Sequence, residues 1–437
     1  MDPILHEWGG FLIRWTHVVA AIAWIGASFY FMHLDASLRP IKEIPDGKGG
    51  EAWEVHGGGF YQVRKYLVAP ERMPDHLIWH KWQSYSTWIS GFALLCWVYY
   101  AQADLYLIDP AVRDITPLTG AAIGIGALVL GWLIYDGLNR SKLADKPLLL
   151  SGAVFAVLMA FAFGFQQVFS GRAAMLHTGT VIATWMTANV FFVIMPNQRK
   201  AIAELVAGRQ PNPAWGKQAK NRSSHNNYLT LPVLFFMLSG HYPLAWSTPY
   251  TWAMVGLVVV TGGVVRHFYN VRHAGKGDPW WTWGVAAACV LLAVGISVTT
   301  TPAGRGRLGL SSADTPAQEG TPAAGGAVPR VILAAAQTPA QMPAETPAAA
   351  HASPAPPPDE VVGILSSRCS MCHAAEPVWA GIAIAPKGVL LDTPENMARF
   401  APAVRVQSVL THAMPPNNIT GMEVEERQEL ARWLDGK

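Results

Sequence analysis

The sequence Cys369-Ser370-Met371-Cys372-His373 determines how the C-terminal end of this chain folds. Its spacing is C-x-x-C-H, in which two thiols reach the two vinyl groups on one porphyrin edge and the next histidine meets the iron. A lone C-x-x-C also fits a thiol redox pair or half of a zinc site. The histidine that follows, and the lack of a second C-x-x-C, favour covalent haem c. Because bacteria attach such haems outside the cytoplasm, the motif predicts an outward-facing C-terminus.

The composition of the whole chain is that of a membrane protein. Its 437 residues are 51% hydrophobic and only 14% charged, whereas charged residues make up about a quarter of a soluble domain. Eighteen tryptophans accompany the apolar runs, as is common where helices meet the membrane surface. The formal net charge is +3, without a basic, aromatic-rich patch. The composition therefore predicts a bilayer as a partner and no nucleic acid.

Eight apolar runs approach the roughly 20 residues that a bilayer-spanning helix needs. They cover residues 9–33, 80–101, 116–136, 147–169, 174–195, 227–246, 249–267 and 279–300. The first run is too long for a cleaved signal peptide, and Asp2 and Glu7 stand where such a peptide is basic. The chain is therefore predicted to be all-α, with an eight-helix transmembrane bundle over residues 1–300.

Lysine and arginine are distributed unevenly among the loops of this bundle. Seventeen of them lie in four alternate loops, and two lie in the loops between; the rich loops are 34–79, 137–146, 196–226 and 268–278. Cytoplasmic loops carry the excess of positive charge, so the rich loops are predicted to be cytoplasmic and the two termini periplasmic. The haem motif independently requires an outer C-terminus. Both arguments predict a multi-pass protein of the bacterial inner membrane.

The chain changes character after the last apolar run. Residues 301–358 are rich in proline and alanine, which predicts an extended, flexible linker. Residues 359–437 are predicted to form a small globular module, with a short helix before the haem motif and a terminal helix at 423–434. The order of these parts resembles a class I cytochrome c domain.

In such a domain a loop methionine opposes the histidine on the haem iron, which suits an electron acceptor. The predicted axial pair is His373 and Met414, and Met414 begins the loop Met414-Pro415-Pro416. Met397 and Met422 are the alternatives. A core position for Met414 is the competing interpretation.

Histidines dominate the ionisable residues of the predicted spans, and a bundle builds haem sites from histidines on facing helices. Six are candidate ligands for one or two haem b groups: His17, His177 and His241 toward the outside, and His33, His80 and His267 toward the cytoplasm. His17 and His33 are sixteen residues apart, about 24 Å along a helix. Each of the six also fits a hydrogen-bonded bundle residue. His76 and His80, spaced i, i+4, also fit a metal site or an interfacial face.

Two cytoplasmic stretches carry groups that suit a planar, polar, anionic ligand. Residues 53–61 read Trp-Glu-Val-His-Gly-Gly-Gly-Phe-Tyr, and residues 222–228 read Arg-Ser-Ser-His-Asn-Asn-Tyr. The H-G-G-G string resembles a lipase oxyanion loop, but no G-x-S-x-G element accompanies it. A flexible turn and a helix cap are the structural alternatives. The candidate catalytic residues are Glu54, His56, His225, Asn226 and Asn227.

The chain as a whole resembles the membrane-bound bacterial urate oxidase (urate hydroxylase) family, in which an eight-helix domain is fused to a periplasmic cytochrome c. The resemblance is carried by residues 14–35, 53–61, 80–85 and 225–232, and by the haem motif. It implies oxidation of urate to 5-hydroxyisourate. It also implies that electrons leave through haem to the C-terminal cytochrome and then to a terminal oxidase or a soluble cytochrome.

Two other classes of protein fit the same features. A quinol:cytochrome c electron-transfer anchor would use the helices only to hold haem. A copper or small-solute transporter would carry the haem module as a redox sensor. Addition of urate under anaerobic conditions distinguishes the oxidase from both, because only the oxidase reduces its haem with urate; the anchor is reduced by quinol and the transporter by neither.

Overall fold

The computed structural model describes residues 3–44, 49–66, 70, 73–300, 356–379, 382 and 385–435. Most of these residues are helical. The predicted linker, residues 301–358, lies outside the described residues except for its last three positions.

Ten α-helices and one two-stranded sheet make up the described residues up to 300. They are α1 (Pro3–Ser37), β1 (Gly49–His56), β2 (Gly59–Tyr66), α2 (Trp82–Leu94), α3 (Ala103–Tyr106), α4 (Pro117–Arg140), α5 (Pro147–Gln166), α6 (Gly171–Ala188), α7 (Met195–Val206), α8 (Pro213–Ser239), α9 (Thr251–His273) and α10 (Trp281–Thr300). Wider π-type turns continue α2 over Leu95–Tyr100 and join α6 to α7 over Asn189–Ile194.

Helix starts follow from local chemistry that the sequence carries. α4, α5 and α8 each begin with a proline. The N–H groups of the first helical turn have no partner within the helix, so the lack of an N–H in proline costs no hydrogen bond there. Thr116 precedes α4, and its hydroxyl accepts a hydrogen bond from the Thr119 N–H at 3.2 Å. Asn212 caps α8 in the same way, through the Ala214 N–H at 2.9 Å.

Six helices are long and apolar enough to cross a membrane within the described part of the chain. They correspond to the predicted first, third, fourth, fifth, seventh and eighth spans. The predicted second and sixth spans are helical too, in α2 and α8. However, the regular part of α2 has only 13 residues, and the first half of α8 is polar. These apolar helices are compatible with a membrane protein, and the eight-span topology stays a prediction.

Helix α6 lies at the centre of the bundle and α1 lies at its edge. In an 18-residue apolar segment within Gly171–Val206, which includes α6, 72% is buried. In the corresponding segment of α1, only 6% is buried. Trp185 of α6 stacks on Tyr135 of α4, with ring centroids 4.8 Å apart. Gly179 allows α8 to approach closely, because a Cβ there would lie 2.5 Å from the Cβ of Phe236. The core is therefore built on α6.

The β1–β2 hairpin departs from the all-α prediction. Its strands are antiparallel, and the last pair in register is His56 with Gly59. Gly57 and Gly58 form the two-residue turn with φ of +59° and +80°, a conformation that side-chain-bearing residues rarely adopt. The three glycines of the H-G-G-G string therefore serve a tight turn and the first residue of β2.

Four α-helices lie in the described part of the C-terminal module: α11 (Asp359–Arg368), α12 (Pro394–Arg399), α13 (Ala401–Val404) and α14 (Val424–Leu434). Both predicted helices are present, as α11 and α14. Leu365, Leu430 and Trp433 lie in one buried cluster. Arg368 ties α11 to α14, since its Nε donates to both carboxylate oxygens of Glu426 at 3.0 Å.

Candidate functional site

The polar segment of α8, residues 222–228, divides between two faces of the helix. It lies where α4 and α9 end and α8 begins, and the ends of these helices carry the loops rich in lysine and arginine. We call this end of the bundle the basic end. Successive residues of a helix point about 100° apart, so neighbours in this segment reach different helices.

Arg222 lies in a buried ion pair on the face toward α4 and α6. Its Nη2 donates to Asp136 Oδ1 at 2.5 Å, and its Nη1 donates to Asn189 Oδ1 at 3.1 Å. The Arg222 side chain is only 5% exposed. Asp136 also accepts a hydrogen bond from Arg140 Nε at 2.5 Å. A buried guanidinium needs such a partner, because transfer of an unpaired charge out of water is costly.

The same cluster continues to His225 and Asn226. Asn189 Nδ2 lies 2.9 Å from both Tyr135 Oη and Asn226 Oδ1, and donates to both. Tyr135 Oη is 2.8 Å from His225 Nδ1. Tyr135 and Asn189 are almost completely buried. An unbroken chain of hydrogen bonds thus connects an imidazole to a buried guanidinium. We call these residues and Asp136 the α4–α8 network.

A second polar cluster lies on the other face of α8, toward α9 and α1. Arg266 Nε donates to Asn227 Oδ1 at 3.0 Å, and Asn270 Nδ2 donates to the same oxygen at 3.2 Å. Tyr228 Oη is 3.0 Å from His267 Nδ1. Arg266 is 7% exposed, and no carboxylate of the described residues pairs with it. Amide oxygens and the sulfur of Met32 surround this guanidinium instead.

A cavity of about 630 Å³ opens at the basic end, between the α4–α5 turn and the bend from α7 into α8. Its lining contains four cationic side chains and one carboxylate: Arg140, Lys200, Lys217, Arg222 and Asp145. Amides complete the polar wall, and Asn197 Nδ2 donates to Gln218 Oε1 at 3.0 Å. Arg222 belongs both to this lining and to the α4–α8 network. The cavity therefore suits a small anion with several hydrogen-bonding atoms.

Glu54 and His56 lie apart from the residues of α8, on the hairpin. Glu54 Oε2 accepts a hydrogen bond from Tyr30 Oη at 2.7 Å, and His56 is exposed next to the turn. Tyr30 lies roughly 160° around α1 from Met32, which contacts Asn227 and Arg266. The structure thus brings His225 and Asn226 together, places Asn227 in the second cluster, and joins Glu54 and His56 to neither.

The candidate haem b histidines differ in whether a ring nitrogen remains free. Both nitrogens of His177 are engaged, Nδ1 with Ala173 O at 2.9 Å and Nε2 with Tyr100 Oη at 3.2 Å. His17 uses Nδ1 alone, at 3.0 Å from Thr87 O. Its Nε2 has no hydrogen-bond partner among the described residues, as an axial ligand requires. Gly91 lies against the His17 ring, since a Cβ there would be 2.8 Å from Cε1.

The other four histidines lie at the ends of the bundle. His267 uses Nδ1 with Tyr228, and His80 Nδ1 is 3.3 Å from Gln83 Nε2. His33 and His241 are exposed. Of the six, His17 and His267 combine partial burial with an Nε2 that the described residues leave free. Their donor chemistry fits haem b better than that of His177.

The haem motif lies directly after α11. Burial raises the pKa of the Cys369 thiol to about 12, and His373 Nδ1 is 2.9 Å from Val389 O. That hydrogen bond orients the imidazole and leaves Nε2 for a metal. No three His, Cys, Asp or Glu side chains of the described residues converge as a metal ion would need. Two free thiols followed by an oriented imidazole fit covalent haem better than zinc.

The three candidate methionines occupy different positions in the module. Met397 and Met422 are 0% and 3% exposed and belong to its apolar cluster. Met414 is only partly buried, in the loop before α14. Its carbonyl accepts a hydrogen bond from Arg427 Nη1 at 3.0 Å, which holds this loop against α14. The assignment of Met414 as an iron ligand stays a prediction.

For the haem c predicted at Cys369 and Cys372, we expect Met414→Leu to lower the midpoint potential, because a thioether ligand raises it. Met397→Leu and Met422→Leu are the matched controls. They keep the side-chain volume of the core, so each should cost less than about 1.5 kcal/mol of stability and leave the potential unchanged. A redox titration of the full-length protein measures this. A lowered potential in a control variant, with Met414→Leu unchanged, would reassign the ligand.

A family model described as urate oxidase N-terminal matches residues 3–297. The chain belongs to the urate oxidase N-terminal family. The matched region contains the α4–α8 network, the second cluster, the cavity and the hairpin. The C-terminal module lies beyond it. No significant match was found among curated proteins or solved structures. Family membership supports a urate-related oxidoreductase.

In this member of the urate oxidase N-terminal family, the sequence-based prediction of site residues missed five polar residues of the two clusters outside residues 222–228. They are Tyr135, Asp136, Asn189, Arg266 and Asn270. A usable signal was present, since Asp136 ends one predicted apolar run, and Asn189 and Arg266 lie inside two others. Polar residues in apolar spans are costly to bury and generally serve a function. The prediction weighed only the histidines among them.

Proposed function

We propose that this protein oxidises urate to 5-hydroxyisourate in a bacterial inner membrane and passes the electrons to its own C-terminal cytochrome c module. The family match over residues 3–297 carries the urate assignment. The C-x-x-C-H motif carries the cytochrome assignment. The oxidation balances as urate plus water giving 5-hydroxyisourate, two protons and two electrons.

The proposed substrate site is the cavity at the basic end, which we place on the cytoplasmic side. Urate is a planar monoanion at neutral pH, with carbonyl oxygens and ring nitrogens around its edge. The excess of cationic side chains over carboxylates in the lining favours an anion, and Asn197, Gln218 and Asn221 supply amide donors and acceptors. Arg222 would bind a urate oxygen while Asp136 holds its guanidinium in place.

The α4–α8 network lies directly behind Arg222 and would accept a substrate proton. Imidazole is the most common general base in proteins, and His225 Nδ1 is hydrogen-bonded to Tyr135 Oη. Asn189 connects Tyr135 to Arg222. This arrangement replaces the earlier candidates Glu54 and His56, which the hairpin holds away from α8.

Cys369 and Cys372 would hold the haem c covalently, and His373 and Met414 would bind its iron. His17 and His267 are the preferred ligands for haem b in the bundle. A haem at either place supplies one-electron transfer. Arg427 and the hydrogen bond of His373 to Val389 hold the protein ligands in position. A terminal oxidase or a soluble cytochrome is the proposed final acceptor.

Anaerobic addition of urate to membranes that contain the protein tests this function. We expect reduction of the c-type haem, seen in its absorption bands, together with loss of urate. Reduction by quinol without any reduction by urate would identify an electron-transfer anchor instead. The absence of any substrate-linked haem reduction would agree with a transporter and overturn the proposal.

The cavity makes a separate prediction about Lys200, an exposed cation in its lining. We expect Lys200→Ala to raise the KM for urate about threefold at low salt, because an exposed attraction contributes up to about 1 kcal/mol. The effect should shrink as salt screens it. Lys220→Ala is the control, since Lys220 is exposed on α8 outside the lining. Equal changes in both variants would place urate elsewhere.

A further inference from the structure

The end of the β1–β2 hairpin exposes an apolar surface that the oxidation chemistry does not use. Val55 and Phe60 face each other across the two strands, and Trp53 lies on the same face. These side chains are 69%, 78% and 64% exposed. Tyr61, on the opposite face, is 52% exposed. We call these four residues the hairpin tip. So much exposed apolar area at one point indicates a contact surface.

The direction of the hairpin is set by two contacts with α1. Near its base, Lys65 Nζ donates to Asp35 Oδ2 at 2.5 Å. Near its turn, Glu54 accepts a hydrogen bond from Tyr30 at 2.7 Å. Tyr30 precedes Asp35 by five residues, about 7.5 Å along the helix. The hairpin therefore runs back along α1, from the basic end toward the middle of this candidate span.

The hairpin lies on the outer side of α1. Met32 faces Arg266 of α9, and Phe31 packs edge-on against His80, with centroids 4.9 Å apart. Tyr30, which holds the hairpin, lies roughly 160° around α1 from Met32, and its ring packs edge-on against Phe31. Only 6% of the 18-residue apolar segment of α1 is buried. The other helices therefore do not cover the hairpin tip.

The charges and the backbone of the hairpin suit a membrane surface. Its base carries Arg64 and Lys65, which pair with Glu51 and Asp35 at 2.7 and 2.5 Å and stay partly exposed. Such charged, hydrated groups suit the headgroup layer. Partial desolvation would raise the pKa of Glu51, but hydrogen bonds from Trp53, Arg64 and Gln62 hold it below its usual value. Tryptophan and tyrosine favour the interfacial layer. Strand pairing continues to His56 and Gly59, so the facing edges of the two strands satisfy each other. The backbone groups on their outer edges can be hydrated in the interfacial layer, whereas the hydrocarbon core would leave them without partners.

We infer that the hairpin tip inserts into the interfacial layer of the same membrane that α1 crosses, with phospholipid as its partner. This inference rests on the membrane placement in the proposed function. The hairpin then anchors the basic end of α1, the helix that the bundle holds least. Its base stays among the headgroups while Val55 and Phe60 reach the upper acyl chains.

A fluorescent label at Phe60→Cys tests this in the full-length protein, in a background where Cys96 and Cys289 are replaced by alanine. The protein is reconstituted in phosphatidylcholine–phosphatidylglycerol vesicles. Quenching by spin-labelled lipids is compared with quenching by aqueous iodide. Gln210→Cys, in the exposed α7–α8 turn, is the water control, and Leu130→Cys, on the exposed face of α4, is the membrane control.

We expect shallow spin-labelled lipids to quench the Phe60 label several-fold more than the Gln210 label, and iodide to do the reverse. A Phe60 label that behaves like Gln210, while Leu130 is quenched by lipid, overturns the inference and leaves the proposed function standing. Protection from both quenchers indicates a protein partner and also overturns it. Aqueous behaviour at Leu130 overturns the membrane placement itself, and the inference with it.

Discussion

Asp136→Asn is expected to destabilise the protein more than Arg222→Met, although the two variants break the same ion pair. Asp136→Asn leaves the Arg222 guanidinium, whose side chain is 5% exposed, without a carboxylate. Loss of one partner of a buried pair costs about 3–5 kcal/mol. Arg222→Met leaves Asp136 paired with Arg140, so a smaller cost of about 1–3 kcal/mol is expected.

Apparent melting temperatures in one detergent measure this difference. Arg209→Ala is the control, because its pair with Glu204 is on the surface and contributes about 1 kcal/mol at most. Urate oxidation should fall to background in Arg222→Met, since this residue both lines the cavity and ends the network. Greater destabilisation by Arg222→Met than by Asp136→Asn would contradict the proposed charge balance.

Replacement of both motif cysteines, Cys369→Ser with Cys372→Ser, is expected to reduce urate turnover in native membranes to background. Without the two thioether bonds the module cannot retain its haem, and the electrons have no route to the acceptor. Binding of urate should be unchanged, because the cavity lies in the matched region that ends at residue 297. Urate consumption and the covalent haem stain are measured on the same membranes.

The matched control is Cys96→Ser with Cys289→Ser, which likewise replaces two cysteine sulfurs by oxygens, but outside the motif. It should retain both the haem stain and turnover. Urate consumption with stoichiometric peroxide in the Cys369/Cys372 variant would show that oxygen accepts electrons at the substrate site. The proposed electron route would then be wrong.

The positions of most helices were predictable because their causes are local. Apolar runs of span length, prolines at helix starts and capping side chains all act within a few residues of one another. The terminal helix α14 was predicted within one residue, since Leu430 and Trp433 mark its buried face. The hairpin was missed for an instructive reason. Alternating residues before Gly57-Gly58 are a hairpin signal, but the stretch was interpreted as a ligand-binding loop or a flexible turn.

The sequence by itself determined the helical spans, the distribution of basic loops and the haem motif, because each depends on neighbours along the chain. Only the tertiary structure decided which polar residues act together. Asp136 and Arg222 are 86 residues apart, and their pairing exists only because α4 packs beside α8. Asn226 and Asn227 are adjacent in sequence, yet the 100° step of the helix sends them to different clusters.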